Sequence, residues 1–161
     1  MLNPPLPRFK SAAEWLVDID RVHVERDCME LLGRILPAGS VPEVLWFDAD
    51  NYILAISCAP TDSLIWKKHQ LSGRFSADAA QNAGMLLGIM HTATKGDAAI
   101  RARYGAEKFF VQQRTDPYLA SLKPKHPDLA GTLDALIDRL LHHQVCLIHG
   151  DFSPKNIFLV P

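Results

Sequence analysis

The sequence contains little cysteine and no long apolar run. Its three cysteines, Cys28, Cys58 and Cys146, are far apart and odd in number, which favours free thiols over a secreted, disulfide-bonded domain. No apolar stretch approaches the roughly 20 residues of a membrane-spanning helix. The first ten residues also lack the apolar region of a signal peptide. We therefore expect a cytoplasmic protein without a membrane partner.

An excess of charge of either sign is also missing. Lys and Arg total 17 and Asp and Glu total 18, which gives a formal net charge of -1. Nucleic-acid-binding domains usually carry a basic excess or stripe, so no nucleic-acid partner is expected. With 48% hydrophobic and 22% charged residues, the composition is that of a globular domain and excludes a disordered chain. The oligomeric state is not indicated.

The first sixty residues predict a helix followed by a β-hairpin. Apolar residues recur at helical spacing over residues 12–36. Two strand-like runs, 41–47 and 52–58, then enclose a short segment rich in turn-forming residues. A connector follows the second run. We therefore divide the chain into a first part, 1–60, and a second part, 61–161.

The second part is predicted to be mainly helical. One helix is expected over 77–92 with Ser76 as its N-cap, and another from His126 to His143, where leucines recur at helical spacing. Two short apolar strands, 145–148 and 157–160, follow near the end. Helices and strands occur in separate runs, so the predicted fold class is α+β.

The loop between these last two strands carries the clearest functional signal. It covers residues 149–156 and has the form His-Gly-Asp, four further residues, then Asn. A polar loop between two apolar strands is held at both ends, which a catalytic carboxylate needs for placement within about half an ångström. The alternative is an ordinary β-turn stabilised by the side chains of Asp151 and Asn156.

This loop resembles the catalytic loop of protein kinases, with Gly150 where those enzymes have Arg. That variant resembles the phosphotransferase family of aminoglycoside phosphotransferases, choline kinases and methylthioribose kinases. Other segments are similar to the family pattern: R-x-x-x-E at 21–25, V-P-x-V at 41–44, L-G-x-x-H at 87–91 and D-P-Y at 116–118. The resemblance implies a protein-kinase-like fold, with a partial N-terminal lobe in 1–60 and a partial helical C-terminal lobe in 61–161.

The resemblance also implies a reaction and roles for the loop residues. The γ-phosphate of ATP would pass to a hydroxyl of a small molecule, with Mg²⁺ as the second cofactor. Asp151 would accept or orient the proton of the attacking hydroxyl, and Asn156 would bind the metal through its amide oxygen. His149 would brace the loop through ring hydrogen bonds.

On the nucleotide side, the resemblance implies that Glu25 pairs with a strand lysine that holds the ATP phosphates. The connector after the second strand would meet the adenine with its main chain, through Cys58, Ala59 and Pro60. Judged from the residues alone, Glu25 is equally well explained as a partly exposed helix residue. Lys155, inside the loop, is expected to be exposed to solvent.

Three parts of a kinase are not found in the sequence: a Gly-rich loop, the strand lysine and a second metal-binding Asp. Lys10 is the only lysine before Glu25 and follows a proline-rich segment, and the chain stops five residues after Asn156. We therefore expect a piece of a small-molecule kinase, truncated at both ends, nearly inactive alone and with exposed apolar surface. Two alternatives are a non-catalytic nucleotide-binding or scaffolding module and, ranked third, a metal-dependent phosphoesterase.

Overall fold

The computed structural model describes residues 2–3 and 18–160, and helix α1 covers Arg21–Ile35. The helix predicted over 12–36 therefore begins later within the described residues, because 18–20 form a turn. In that turn, the Asp18 carboxylate accepts a hydrogen bond of 2.9 Å from the main-chain N–H of Asp20, a local bond that competes with helix formation. The remainder of the predicted helix, 12–17, lies outside the described residues.

The predicted β-hairpin is present, with shorter strands than expected. Strand β2, Val44–Asp48, pairs antiparallel with strand β3, Ile53–Ile56. The register shifts between Val44 and Trp46, which leaves Leu45 as a bulge. The pairing confirms the hairpin.

Side-chain hydrogen bonds close the hairpin turn. The Asp48 carboxylate accepts hydrogen bonds from the main-chain N–H groups of Asp50 and Asn51, at 3.1 and 3.0 Å, and from the Asn51 amide at 2.9 Å. On the other side of the hairpin, strand β1, Leu2–Asn3, pairs antiparallel with β3. The strand order is therefore β1-β3-β2.

The hydrophobic core lies between this sheet and α1. Because side chains alternate along a strand, Leu54 and Ile56 of β3 are buried on the same face, where Val22 of α1 packs against them. Leu54 is 0% exposed and Val22 1%. Partly buried side chains surround them: Met29, Val44, Phe47 and Tyr52.

A second, two-stranded sheet lies in the part that contains the candidate loop. Strand β4, Leu64–Ile65, pairs antiparallel with strand β5, Phe158–Leu159, and helix α2, Trp66–Leu71, follows β4 directly. Strand β5 corresponds to the strand predicted at 157–160. Strand β4 was not predicted, because two residues are too short to show an alternating pattern.

The remaining helices follow in chain order. Helix α3, Ala77–Thr94, confirms the predicted helix and its cap, since Ser76 Oγ accepts the main-chain N–H of Ala79 at 3.1 Å. The others are α4, Ala98–Tyr104; α5, Lys108–Phe110; a π-helical segment, Val111–Thr115; α6, Asp116–Tyr118; and α7, Ala130–His142. Short 3₁₀ turns cover Ala120–Leu122, Pro127–Leu129 and Pro154–Asn156. Among the described residues, no helix is both long and apolar enough to cross a bilayer.

The strand predicted at 145–148 is wrong. Cys146 lies in a bend, and the main-chain hydrogen bonds of this segment go to the end of α3 and the turn after it and form no strand ladder. Apolar side chains near this segment are also exposed: Leu136, Leu140, Val145 and Ile148. Exposed apolar surface of this kind agrees with the sequence expectation.

We expect Leu54→Ala to lower the free energy of unfolding by about 2–5 kcal/mol, because it leaves a cavity where the side chain is fully buried. The matched control is Leu45→Ala at the bulge of the neighbouring strand, where Leu45 is 60% exposed. That variant should stay within about 0.5 kcal/mol of the wild type. Urea unfolding followed by circular dichroism measures both, and equal losses would contradict the assignment of the core.

Candidate active site

The segment before the candidate loop is anchored to α3 by a buried hydroxyl. Thr94, at the last position of α3, is 1% exposed. Its Oγ1 donates to the main-chain oxygen of Met90 at 2.8 Å and accepts the main-chain N–H of Leu147 at 3.0 Å. Nearby, the N–H of Gly96 donates to the oxygen of Val145 at 3.0 Å. These bonds hold the chain just before His149.

The segment after the loop is anchored by α2 and β4. The 3₁₀ turn Pro154–Asn156 closes with a bond of 2.9 Å from the Asn156 N–H to the Ser153 oxygen. The main-chain oxygen of Ile157 then accepts the N–H of Trp66 at 2.9 Å, next to the β4–β5 pair. The loop is therefore fixed at both ends, although only one of the two anchors is a strand pair.

Gly150 has a backbone conformation that explains the glycine in the motif. Its φ is +76°, in the left-handed region. That conformation costs a residue with a Cβ about 1–2 kcal/mol. Its carbonyl oxygen accepts a hydrogen bond from Nε of Arg114, which belongs to the π-helical segment. A side chain at position 150 would therefore be strained, whereas glycine lets the chain turn directly into Asp151.

Two cations and a hydroxyl surround the Asp151 carboxylate. Oδ2 lies 2.9 Å from Nζ of Lys155 and 3.7 Å from Nη2 of Arg114. Oδ1 accepts a longer hydrogen bond of 3.4 Å from Oγ of Ser153. The side chain is 34% exposed, so one edge of the carboxylate is accessible from solvent.

The pKa of Asp151 is lowered below its usual range. Partial burial raises it, but the hydrogen bonds from Lys155 and Asn156 and the positive charges of Lys155 and Arg114 together outweigh the effect of burial. The carboxylate is therefore ionised at neutral pH, as a group that accepts or orients a proton must be.

The main chain of Asp151 is held by the two polar ends of the loop. Its N–H donates to Nδ1 of His149 at 3.2 Å, and its oxygen accepts Nδ2 of Asn156 at 2.9 Å. The His149 ring also makes an edge contact with Phe152, with centroids 5.6 Å apart. Although His149 is exposed as a residue, desolvation of its ring lowers its pKa more than the Asp151 charge raises it.

The structure thus brings three of the predicted site residues, His149, Asp151 and Asn156, into direct contact. Glu25 lies elsewhere, on α1, where Oε2 is 3.8 Å from Nη1 of Arg21. Burial raises the pKa of Glu25 and the charge of Arg21 lowers it, with a net increase. The sequence does not identify the lysine that the resemblance pairs with Glu25, and Lys10 is not assigned that role. The pairing therefore stays a prediction.

The connector residues Cys58, Ala59 and Pro60 are exposed and lie outside helices and strands, directly after β3 and Ser57. Their expected role at the adenine also stays a prediction. Within residues 18–160, no group of three or more His, Cys, Asp and Glu side chains is positioned to hold a metal ion.

Sequence reasoning missed two residues of the site. Arg114 contacts the loop from 36 residues away in sequence, and no local pattern indicates such a contact. Lys155 is exposed as expected, but it also pairs with Asp151 four residues earlier. The i,i+4 spacing of opposite charges was the available signal for that pair.

A carboxylate and an amide side chain, fixed on one loop in a mixed helical and β fold, fit the class of phosphotransferases. The chain matches the model of the phosphotransferase enzyme family over residues 8–160 and therefore belongs to this family. This confirms the family resemblance inferred from the sequence. A search of curated proteins found no match.

We expect Thr94→Val to destabilise the protein by about 1–3 kcal/mol, because it leaves the partly buried N–H of Leu147 without its acceptor. Thr92→Val, at an exposed position of the same helix, is the matched control and should be nearly neutral. Hydrogen exchange of the Leu147 amide should accelerate only in the Thr94 variant. Unchanged exchange would show that the hydroxyl does not anchor the loop.

We expect Lys155→Gln to raise the pKa of Asp151, because the ammonium stabilises the ionised carboxylate. A carboxyl group with a lowered pKa in the folded state stabilises the protein above its unfolded pKa of about 3.9, and this contribution disappears as the pH falls through the folded value. Above the unfolded pKa, the variant should therefore be less stable than the wild type.

Carbon NMR of the Asp151 carboxyl during a pH titration measures the pKa. Lys125→Gln, at another exposed lysine, should leave it unchanged, and an equal shift there would contradict the local pairing.

Proposed function

We propose that this member of the phosphotransferase family is an ATP-dependent kinase that transfers the γ-phosphate to a hydroxyl of a small molecule in the cytoplasm. The observation that carries the proposal is the double anchoring of the loop around an ionised Asp151. Phosphoryl transfer depends mainly on positioning and charge stabilisation, and the loop supplies a fixed carboxylate. The proposal includes a protein-kinase-like division into two lobes near residue 60.

In the proposed reaction, Asp151 orients the attacking hydroxyl and takes up its proton. The hydroxyl oxygen attacks the γ-phosphorus, and the bond from that phosphorus to the oxygen of the leaving ADP breaks. The two carboxylate oxygens are not equivalent. Oδ2 is paired with Lys155 at 2.9 Å, whereas Oδ1 accepts a longer hydrogen bond of 3.4 Å from Ser153. Oδ1 is therefore the oxygen that we assign to the substrate hydroxyl.

The residues of the loop fit a magnesium ion that is shared with phosphates. Nδ2 of Asn156 is used by the main chain of Asp151, so the amide oxygen is the atom that remains for a metal. Mg²⁺ prefers oxygen ligands and is usually held by one or two side chains together with phosphates and water, so a dense cluster of acidic side chains is not required. When bound, the ion would neutralise charge on the transferred phosphoryl group. His149 holds the loop in shape through its bond to the Asp151 N–H.

On the nucleotide side, the exposed connector supports a role for Cys58, Ala59 and Pro60 at the adenine, because its main-chain groups are not used in a strand ladder. Glu25 is partly buried on α1, which supports a structural role for its side chain. We assign it to the ATP side only through the family pattern at 21–25.

A second candidate function is a non-catalytic module that binds nucleotide without turnover. The observation that favours it is the pairing of Asp151 with Lys155 at 2.9 Å, since an ion-paired carboxylate is a weaker proton acceptor. The two functions differ in turnover and share nucleotide binding, so both must be measured on the same protein.

The turnover of this chain alone, which we expect to be low, should fall further in Asp151→Asn, by about 10²–10⁴-fold, because the amide cannot accept the proton. Turnover is measured by a coupled assay with a panel of small hydroxyl compounds, and Mg-ATP binding by calorimetry. Asp128→Asn, at an exposed position before α7, is the matched control and should retain wild-type turnover. Binding without turnover would favour the second candidate. The absence of both, or wild-type turnover in Asp151→Asn, would contradict the kinase.

A further inference from the structure

A second concave site lies beside α2 and the β4–β5 pair. It has a volume of about 340 Å³ and is lined by α2, the end of β4 and Phe158 of β5. The volume is within the range of pockets that hold small molecules. Arg114, Asp151 and Lys155 do not line it, so the pocket is separate from the carboxylate site.

Basic side chains dominate the polar wall of this pocket. Lys68 and His69 come from α2, and Arg74 follows it after a turn at Gly73. Within the described part of the chain, no Asp or Glu is among the lining residues. A concave wall with cations of this kind and no carboxylate attracts an anion.

Two polar atoms of the lining residues lack a hydrogen-bond partner in the described structure. Oγ of Ser63 and Nδ1 of His69 are shielded from solvent, and no described residue bonds to either. An unsatisfied buried polar group costs about 1–3 kcal/mol. A ligand oxygen that accepts from either group, once that side chain turns toward the pocket, would recover this cost, which a bare apolar ligand would not.

The apolar lining residues of the pocket come from the β4–β5 pair. Leu64 and Phe158 are 51% and 50% exposed, and Ile65 lies beside them on the β4–β5 pair. A half-exposed aromatic ring offers a flat face to a ring of a ligand. The basic and apolar lining residues together suit a molecule with an anionic group at one end and an apolar ring at the other.

We propose that this pocket binds an oxyanion group carried on an apolar ring, with Lys68 and Arg74 neutralising the charge and Ser63 and His69 donating hydrogen bonds. The site is independent of phosphoryl transfer, because it uses none of the residues assigned to that reaction. Helix α2, which lines the pocket, is joined to the segment after the loop by the main-chain bond from Trp66 to Ile157 at 2.9 Å.

The test uses phenyl phosphate as the probe, with inorganic phosphate and phenol as its two halves. Each is titrated into the isotopically labelled protein at constant ionic strength, and main-chain amide signals are followed by NMR. Phenyl phosphate should shift the signals of residues 63–74 and Phe158 and bind more tightly than either half. Inorganic phosphate should shift the same signals near Lys68 and Arg74 more weakly.

Lys68→Gln and Arg74→Gln should each weaken phenyl phosphate binding by about tenfold, since each removes a charged hydrogen-bond donor. Lys67→Gln removes the neighbouring lysine, which does not line the pocket, and should bind like the wild type. Ser63→Ala tests the site without a change of charge and should also weaken binding.

Three results would overturn the proposal. The first is the absence of localised shifts with phenyl phosphate. The second is equal weakening in the Lys67 and Lys68 variants, which would indicate general attraction to surface charge. The third is equally tight binding of phenol, which would indicate an apolar patch without an anion site. Loss of phosphoryl transfer in Asp151→Asn would leave the proposal unaffected, so the two functions are tested separately.

Discussion

The buried hydroxyl of Thr94 connects helix α3 to the chain that carries Asp151, and the position of the candidate site depends on this connection. A strand at 145–148 would have been held by a ladder of main-chain bonds. In the described part of the chain, the Thr94 hydroxyl and the Gly96 N–H supply bonds to this segment in its place. Because Thr94 Oγ1 donates to Met90 and accepts from Leu147, one side chain bonds to a buried main-chain oxygen and to a partly buried main-chain N–H. The end of α3 therefore determines where the loop begins.

The electrostatics of the site result from a balance between burial and two cations. Burial alone would raise the pKa of Asp151, whereas the hydrogen bonds from Lys155 and Asn156, together with the charges of Lys155 and Arg114, lower it below its usual range. Arg114 also stabilises the turn, because its Nε donates a hydrogen bond to the carbonyl oxygen of Gly150. The same guanidinium thus stabilises the charge of the carboxylate and the turn that presents it. A planar side chain with several fixed donors can do both, whereas a lysine could not.

The parts of the structure that depend on short-range chemistry were predictable from the sequence. The hairpin follows from alternating apolar residues and the turn formers at 48–51, and the start of α3 follows from Ser76. The contact of His149 with Asp151 and Asn156 follows from their spacing on one loop. The contact of Arg114 could not be predicted, because it joins residues far apart in sequence. The strand at 145–148 was mispredicted because four apolar residues show no periodicity that separates a strand from an extended segment.

Different forces hold the two parts of the chain. Around α1 and β3, apolar side chains such as Leu54 and Val22 are fully buried, and the structure there depends on packing. Around the loop, most apolar side chains are partly or largely exposed. The main chain there is fixed by donors on Trp66 and Arg114 and by the Thr94 hydroxyl, which accepts the N–H of Leu147. Packing is non-directional, whereas hydrogen bonds require defined distances and angles. Hydrogen bonds therefore position a catalytic carboxylate more accurately than apolar contacts do. This explains why a loop with few buried apolar side chains still carries the family's most specific motif.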